Sequence, residues 1–337
     1  MLPVHVTKAH TGERMKAMTL FSIGETNQPM FLLTLILGLV LSLACAVLLC
    51  RREKVSGKVT LWAAVLAPVL GFLFSHVFYC LVQFSYVVNN LGPEAFLDFS
   101  ANRHMLYGGM FGAVLAIFIA SRLSGEKFGK LLDAFAPAGF LFIAAIRLAE
   151  GFNGMGYGEY IEEINAFCRF PFAVYDNMYE MWAWALFAGE AFYALVICAV
   201  TLLIRKKEPA GDRALLGLGM YGCGQIIFES LRRDEFLRWG FVRCSELFSG
   251  VLLLIVLICY LVRCKNKKMN ISNIICMVLF FVMVAFCLLL EFATEGRIPF
   301  LQFLETPAQC YMCMAGACVV MLICVLVIRR NSYQQEQ

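Results

Sequence analysis

The chain has 337 residues, 61% of them hydrophobic and only 15% charged, with a mean hydropathy of +0.75. Soluble domains hold about 45–50% apolar and about 25% charged residues, so this composition excludes an ordinary water-soluble protein and predicts one solvated by lipid. The net charge of +4 follows the topology described below and carries no nucleic-acid signature.

The first 29 residues are polar and of mixed charge, without the apolar h-region and small-residue cleavage site of a signal peptide. The first apolar run then acts as its own insertion signal, and Met15 and Met18 are alternative start positions. A helix needs about 20 mostly apolar residues to cross a bilayer core. Runs of that kind occupy 30–50, 59–82, 105–121, 131–149, 178–204, 214–231, 245–262, 270–291 and 309–328, of which 214–231 is the least apolar. The expected fold is an all-α integral membrane protein, a polytopic bundle of about nine transmembrane helices.

Orientation follows from basic residues near the span ends. Arg51/Arg52/Lys54/Lys58, Arg122/Lys127/Lys130, Arg205/Lys206/Lys207/Arg213, Arg263/Lys265/Lys267/Lys268 and Arg329/Arg330 follow the odd-numbered spans. This pattern places the N-terminus outside and the C-terminus in the cytoplasm. The opposite loops, 92–103, 159–170 and 232–243, are acidic or mixed. Segments 92–104 and 150–177 are expected to cap the outer end.

Polar groups at the helix centre are costly, about 2.5–3.5 kcal/mol each for charged ones on insertion scales, so those inside or at the ends of spans are informative. They are His76, His104 with Tyr107, Arg147 with Glu150, Asp176 with Glu180, Glu190, Gln225 with Glu229 and Arg232, and Glu246. Several stand three or four residues apart and would share a helix face, Tyr107 with His104 if the third span begins that early. Most fall toward the outer side, which points to one polar cluster opening outward. Each also has a structural reading: Glu190 as a partner for a neighbouring helix, Glu229–Arg232 as an i,i+3 pair, His104 as an interface anchor. Arg147 differs, because it ends an apolar run and precedes the glycine-rich break in RLAEGFNGMGYG (147–158). Arginine presents a planar donor fork that fits phosphate, and glycines permit close approach of a ligand to the backbone. A phospholipid head group and a loop anchor both fit this placement.

Most of the fifteen cysteines lie within apolar runs and read as small hydrophobes. Cys310 and Cys313 form a Cys-x-x-Cys pair without a second pair or a histidine cluster. No metal site and no cofactor is expected.

The segment IRLAEGFNGMGYG (146–158) resembles the signature Gly-Arg-x-Gly-Asn-Phe-x-Asn-x-x-x-x-Gly of the prolipoprotein diacylglyceryl transferase family, with Arg147, Asn153 and Gly158 on matching positions. YGGMFGAVLAIFIASRL (107–123) resembles the family's His-Gly-Gly segment, and LLDAFAPAGFLFIAAIR (131–147) its Asp-x-x-Ala-Pro helix. DNMYEMWAWALFAGE (176–190) resembles the Ser-Gln-Leu-Tyr-Glu helix, matching at Tyr179 and Glu180. YGCGQIIFESLRRDE (221–235) resembles the Tyr-Gly-x-x-Arg-x-x-x-Glu-x-x-Arg segment, matching at Glu229 and Arg232, and SELFS (245–249) the start of the last family helix. The likeness covers about 59–263. Tyr107 stands in place of the family histidine, Glu150 of the first signature asparagine, Met155 of an acid, Val174 of a histidine and Gln225 of an arginine. The family's Tyr-Gly motif has no counterpart in the first span.

This resemblance implies a bacterial plasma-membrane enzyme that moves diacylglyceryl from phosphatidylglycerol to the lipobox cysteine thiol of a lipoprotein precursor, within membrane lipid. Together with the topology above, the expected organisation is an extracytoplasmic segment (1–29), a transferase-like core (30–263), and two additional helices with a short cytoplasmic tail (264–337), on which the resemblance is silent. Arg147, Tyr107, His104 and Glu150 become the catalytic candidates, with His104 or Glu150 taking the thiol proton. Gly108, Gly109, Asn153, Gly158, Tyr179, Glu180, Glu229 and Arg232 become the substrate-binding candidates. A non-catalytic paralogue that binds a phospholipid head group or a membrane partner is the alternative reading. A transporter is a third, weakened by the lack of an internal repeat.

Overall fold

A computed structural model describes residues 21, 23, 26–100, 102–204, 209–233, 237–239, 242–264, 270–294 and 307–334. Most of the N-terminal segment, the alternative starts, the basic groups at 205–207 and 265–268, and the end of the tail lie outside these residues.

Among the described residues nine helices are long and apolar enough to cross a membrane. They are α1 (Gln28–Arg52), α2 (Gly57–Val82), α3 (Leu106–Ser124), α4 (Phe128–Phe152), α5 (Leu186–Leu203), α6 (Asp212–Leu231), α7 (Cys244–Cys264), α8 (Ile271–Thr294) and α9 (Pro307–Gln334). Local chemistry sets several ends. The Asn27 side chain accepts from the Met30 amide at 3.3 Å, with a proline in the first turn of α1. The chain leaves α3 through Gly125 in a left-handed conformation.

The third span begins at Leu106, so His104 lies before the helix and does not share a helical face with Tyr107. The fifth span corrects the sequence reading more strongly. Residues 178–185 are not helical, and α5 starts only at Leu186. The tract before it forms a three-stranded antiparallel sheet of β1 (Tyr160–Ile161), β2 (Ala173–Asp176) and β3 (Met181–Trp184), with β3 in the centre. Aromatic residues in Met-Trp-Ala-Trp suit a pleated surface, and hydropathy alone does not separate such a strand from the helix it leads into. A second ribbon pairs β4 (Arg238–Trp239) with β5 (Val242–Arg243). The membrane part is therefore all-helical, and small sheets are added at one end.

Helix packing follows α2 on α3, α1 on α4, α4 on α5, α5 on α6 and α6 on α7. The last two helices pair with each other, and α9 packs on α6 and α7. Cys287, Cys310, Cys318 and Cys324 sit in the apolar cluster between them, beside Leu253, Tyr260 and Phe280, as the packing reading expects. At this helix pair's other anchor, fully buried Asp212 accepts from Arg329 at 2.7 Å and from Tyr260 at 3.0 Å. Arg263 and the Glu53–Arg213 pair lie at that same end of the bundle, which carries the basic span ends. The sheets occupy the opposite end.

Helices α2 and α3 cross closely at Gly108 and Gly112. A Cβ on Gly108 would collide with the Phe74 carbonyl and the Phe78 ring, and one on Gly112 with the Leu70 carbonyl. Small residues let helices approach in lipid, where dispersion rather than the hydrophobic effect drives association. Gly108→Val is expected to lower stability by at least about 1–3 kcal/mol, the range for overpacking. Thermal unfolding in detergent would show it, and an unshifted midpoint would contradict the packing role.

Candidate functional site

At the sheet-bearing end, three helices bring five charged side chains together. Arg147 and Glu150 stand three residues apart near the end of α4, Glu190 in the second turn of α5, and Glu229 near the end of α6. Arg232 follows directly as the residue that closes α6. Arg147 Nε meets Glu190 Oε2 at 2.7 Å, and Arg232 Nε meets Glu190 Oε1 at 3.0 Å. Arg147 Nη1 donates to both Glu150 oxygens at 2.7 and 2.9 Å, and Arg232 Nη2 also donates to Glu150. Glu229 lies 3.6 Å from Arg232 and 3.9 Å from Arg147, and accepts from Gln225 at 2.9 Å. Arg147 further donates to the Tyr221 hydroxyl at 3.3 Å.

The arginines and Glu190 and Glu229 are almost wholly buried, whereas the Glu150 side chain keeps 18% exposure. Burying an unpaired charge costs several kcal/mol, so these groups persist there only as a network. Three glutamates against two arginines leave one excess negative charge among the five. Chemically the cluster offers two planar cation forks for a phosphate and one accessible carboxylate for a proton.

The local chain explains how α4 can end here. Gly156 turns at φ +78°, and a Cβ there would lie 2.8 Å from Phe187 Cβ and 3.2 Å from Arg232 Nη2. Both the conformation and the space require glycine. Gly158 donates its amide to Trp184 at 2.8 Å, tying the signature to β3. Asn153 donates to Asn102 at 2.6 Å and accepts from Gln28 at 3.4 Å, which joins the loop before α3 and the start of α1 to the end of α4.

The sequence-expected residues thus divide. Arg147, Glu150, Glu229 and Arg232 meet in the cluster, and Asn153 and Gly158 shape the turn beside it. Gly108 and Gly109 lie on the α2–α3 crossing. Tyr107 is buried with its hydroxyl 2.5 Å from that of Ser249, which in turn donates to the Ser245 carbonyl at 2.7 Å. Its ring lies 6.4 Å from that of Tyr221, so it backs the cluster through an aromatic neighbour. His104 lies 2.8 Å from the Ser75 hydroxyl, with its ring against Phe72 and His76. It belongs to a second polar group at this end, where buried His76 meets the Arg103 and Phe96 carbonyls at 3.0 and 3.1 Å.

Tyr179 and Glu180 are exposed in the β2–β3 turn, with Glu180 at φ +53°. Asp176 is no helical partner of Glu180. It is buried, accepts from Tyr160 at 2.5 Å and caps the turn through the Met178 amide at 2.8 Å. The glutamate that α5 carries into the cluster is Glu190. Sequence reasoning marked Glu190 as a polar intruder without assigning it to the site. The signal that could have assigned it is a lone acid five residues into the apolar helix, once the helix start is set at Leu186.

Burial holds the His104 imidazole below its ordinary range, against a smaller opposing effect of the Phe99 carbonyl. A lowered value in the folded chain means that the neutral ring favours folding. Its contribution is present above the unfolded value near 6.5 and is lost as pH falls through the folded value. Acidification is therefore expected to loosen the loop that carries His104, and His104→Asn to flatten that dependence. Hydrogen exchange at pH 7 and pH 5 would test it, with equal protection at both values contradicting it.

A family model described as prolipoprotein diacylglyceryl transferase matches residues 18–289, from before α1 into α8. A phosphatidylglycerol–prolipoprotein diacylglyceryl transferase from Clostridium kluyveri is 28% identical over 255 residues, covering 74% of this chain and 98% of that protein. A protein of the same name from Listeria innocua is 28% identical over 239 residues, covering 69% of this chain and 84% of its own. One from Finegoldia magna is 25% identical over 253 residues, covering 75% and 97%. The match contains the whole Arg–Glu cluster and the turn that follows it, and on that extent the chain belongs to the prolipoprotein diacylglyceryl transferase family.

Proposed function

We propose that this chain is a multi-pass transferase of the bacterial plasma membrane that moves diacylglyceryl from phosphatidylglycerol to the lipobox cysteine thiol of a prolipoprotein. The observation that carries the site assignment is the convergence of Arg147 and Arg232, from two helices, on one buried cluster with a partly exposed carboxylate. Family membership supports the reaction, and the basic span ends support an N-terminus outside and a C-terminus in the cytoplasm. The cluster then opens on the outer side, where an exported precursor arrives. Residues 30–263 form the transferase core, and the last two helices brace α6 and α7.

The chemistry constrains the roles. Transfer of diacylglyceryl from a phosphodiester to sulfur forms a carbon–sulfur bond and breaks a carbon–oxygen bond, with glycerol phosphate leaving. Negative charge grows on the phosphate, and fixed donors aimed at developing charge are usually the largest catalytic contribution. Arg147 and Arg232 supply those donors. Thiolate is the nucleophile, so a proton acceptor is required. Glu150 is the candidate within the cluster, while His104 makes its contacts in the other polar group.

The test is direct. The purified full chain is incubated with radiolabelled phosphatidylglycerol and a lipobox peptide, beside Arg147→Ala. Label on the peptide cysteine that disappears in the variant is the expected result. Binding of phosphatidylglycerol without transfer would replace this reading with that of a lipid-binding paralogue.

A further inference from the structure

Glu150 lies across the terminal nitrogens of both guanidinium groups, accepting from Arg147 Nη1 and Arg232 Nη2. Glu190 holds the Nε edge of each arginine from the buried side. Arg147 Nη1 and Arg232 Nη2 thus reach the more exposed of these two carboxylates, since the Glu150 side chain is 18% exposed and that of Glu190 2%, although Arg232 Nη2 also donates to Glu190 at 3.3 Å. A phosphodiester asks for the same thing: two anionic oxygens placed on planar N–H forks. Glu150 and a lipid phosphate thus compete for one set of donors. Charge opposes holding both, because the cluster already carries one more carboxylate than guanidinium and like charges repel strongly in a low dielectric.

We propose that Glu150 is a displaceable internal ligand of the phosphate site, so that the lipid phosphate takes its place on Arg147 and Arg232 and the released carboxylate accepts the thiol proton. This rests on the diacylglyceryl transfer reading. A carboxylate engaged by both guanidiniums has few lone pairs left for another donor. Once released, it takes the S–H proton onto one oxygen. The sulfur electron pair forms the bond to the diacylglyceryl carbon, the bond from that carbon to the phosphate oxygen breaks, and its electrons stay on glycerol phosphate beside the arginines. Protonation also neutralises Glu150 as charge on the phosphate rises. The order of events follows: lipid binds first, and thiol activation comes second. The signature that this segment resembles has a neutral asparagine where Glu150 stands.

The experiment measures binding and turnover separately in the full chain in a neutral detergent. The probe is dioctanoyl phosphatidylglycerol without any thiol, titrated by calorimetry into wild type, Glu150→Gln and Glu150→Asn. If the carboxylate occupies the donors most of the time, its removal raises lipid affinity about tenfold. Turnover with the lipobox peptide falls about 100-fold in Glu150→Gln, the scale of a lost general base. Higher affinity with lower kcat in the same variant is the expected signature, and a merely structural role would not produce it. Unchanged or weaker lipid binding in both variants overturns the proposal. Wild-type transfer with unaltered binding in the variants would sink the competition and leave the reaction standing. Tighter binding in the variants without wild-type transfer would sink the reaction and the proton step, and leave the competition standing.

Discussion

Lysine at position 147 is expected to reduce diacylglyceryl transfer by about 100- to 1000-fold, the scale set by loss of one donor to developing charge. The substitution keeps the positive charge, so the cluster is not left with a second excess carboxylate. What it removes is the fork. Arg147 uses Nε for Glu190, Nη1 for Glu150 and Nη2 for Tyr221. A lysine ammonium is a compact point charge on a flexible stem and cannot span three separated partners. Alanine would remove the charge as well, and breaking a buried pair costs about 3–5 kcal/mol, so lost activity there mixes with lost stability. Lysine separates the two. The check is kcat and KM with phosphatidylglycerol, with thermal unfolding measured alongside. Transfer within threefold of wild type would show that charge alone suffices and that the fork geometry is idle.

The second large effect is expected at Glu190. Its Oε1 meets Arg232 and its Oε2 meets both arginines, so it fixes the spacing between the two forks. Glu190→Ala should destabilise the protein by about 3–5 kcal/mol, since two buried guanidiniums lose a shared partner. Glu190→Gln keeps the shape and one acceptor oxygen, and should fold while transferring more slowly. The informative reading is KM against kcat: displaced forks lower kcat, while loss of a remote structural contact lowers the folded fraction alone. Unchanged unfolding of Glu190→Ala in detergent would show that the arginines are held by Glu150 and Glu229 without it.

Much of the membrane architecture was legible because lipid makes one demand on every span. Backbone groups must pair internally and side chains must be apolar for about 20 residues, and both requirements are local. Hence the nine runs matched helices to within a few residues at most ends. The exception was informative. At 178–185 an aromatic, apolar strand runs into an apolar helix, and local hydropathy has no means of dividing them. That boundary shifted the expected site from Glu180 to Glu190. The conditional pairing of His104 with Tyr107 on one helix face fails for a similar reason, because the helix starts at Leu106 and His104 lies two residues before it.

The sequence by itself determined a lipid-solvated helical bundle, the alternation of its basic ends, and the family to which residues 147–158 belong. It also marked Arg147, Glu150, Glu229 and Arg232 as charges out of place, since their cost in an apolar setting is a property of composition. Tertiary structure alone decided what those charges do together. Arg147 and Arg232 are 85 positions apart along the chain, and Glu190 lies between them on another helix. Their meeting depends on how α4, α5 and α6 cross, and side-chain packing between distant segments sets such crossings. The same crossings placed Gly108 in a helix contact, set Tyr107 behind Tyr221, and put Glu150 on the very donors a phosphate would need.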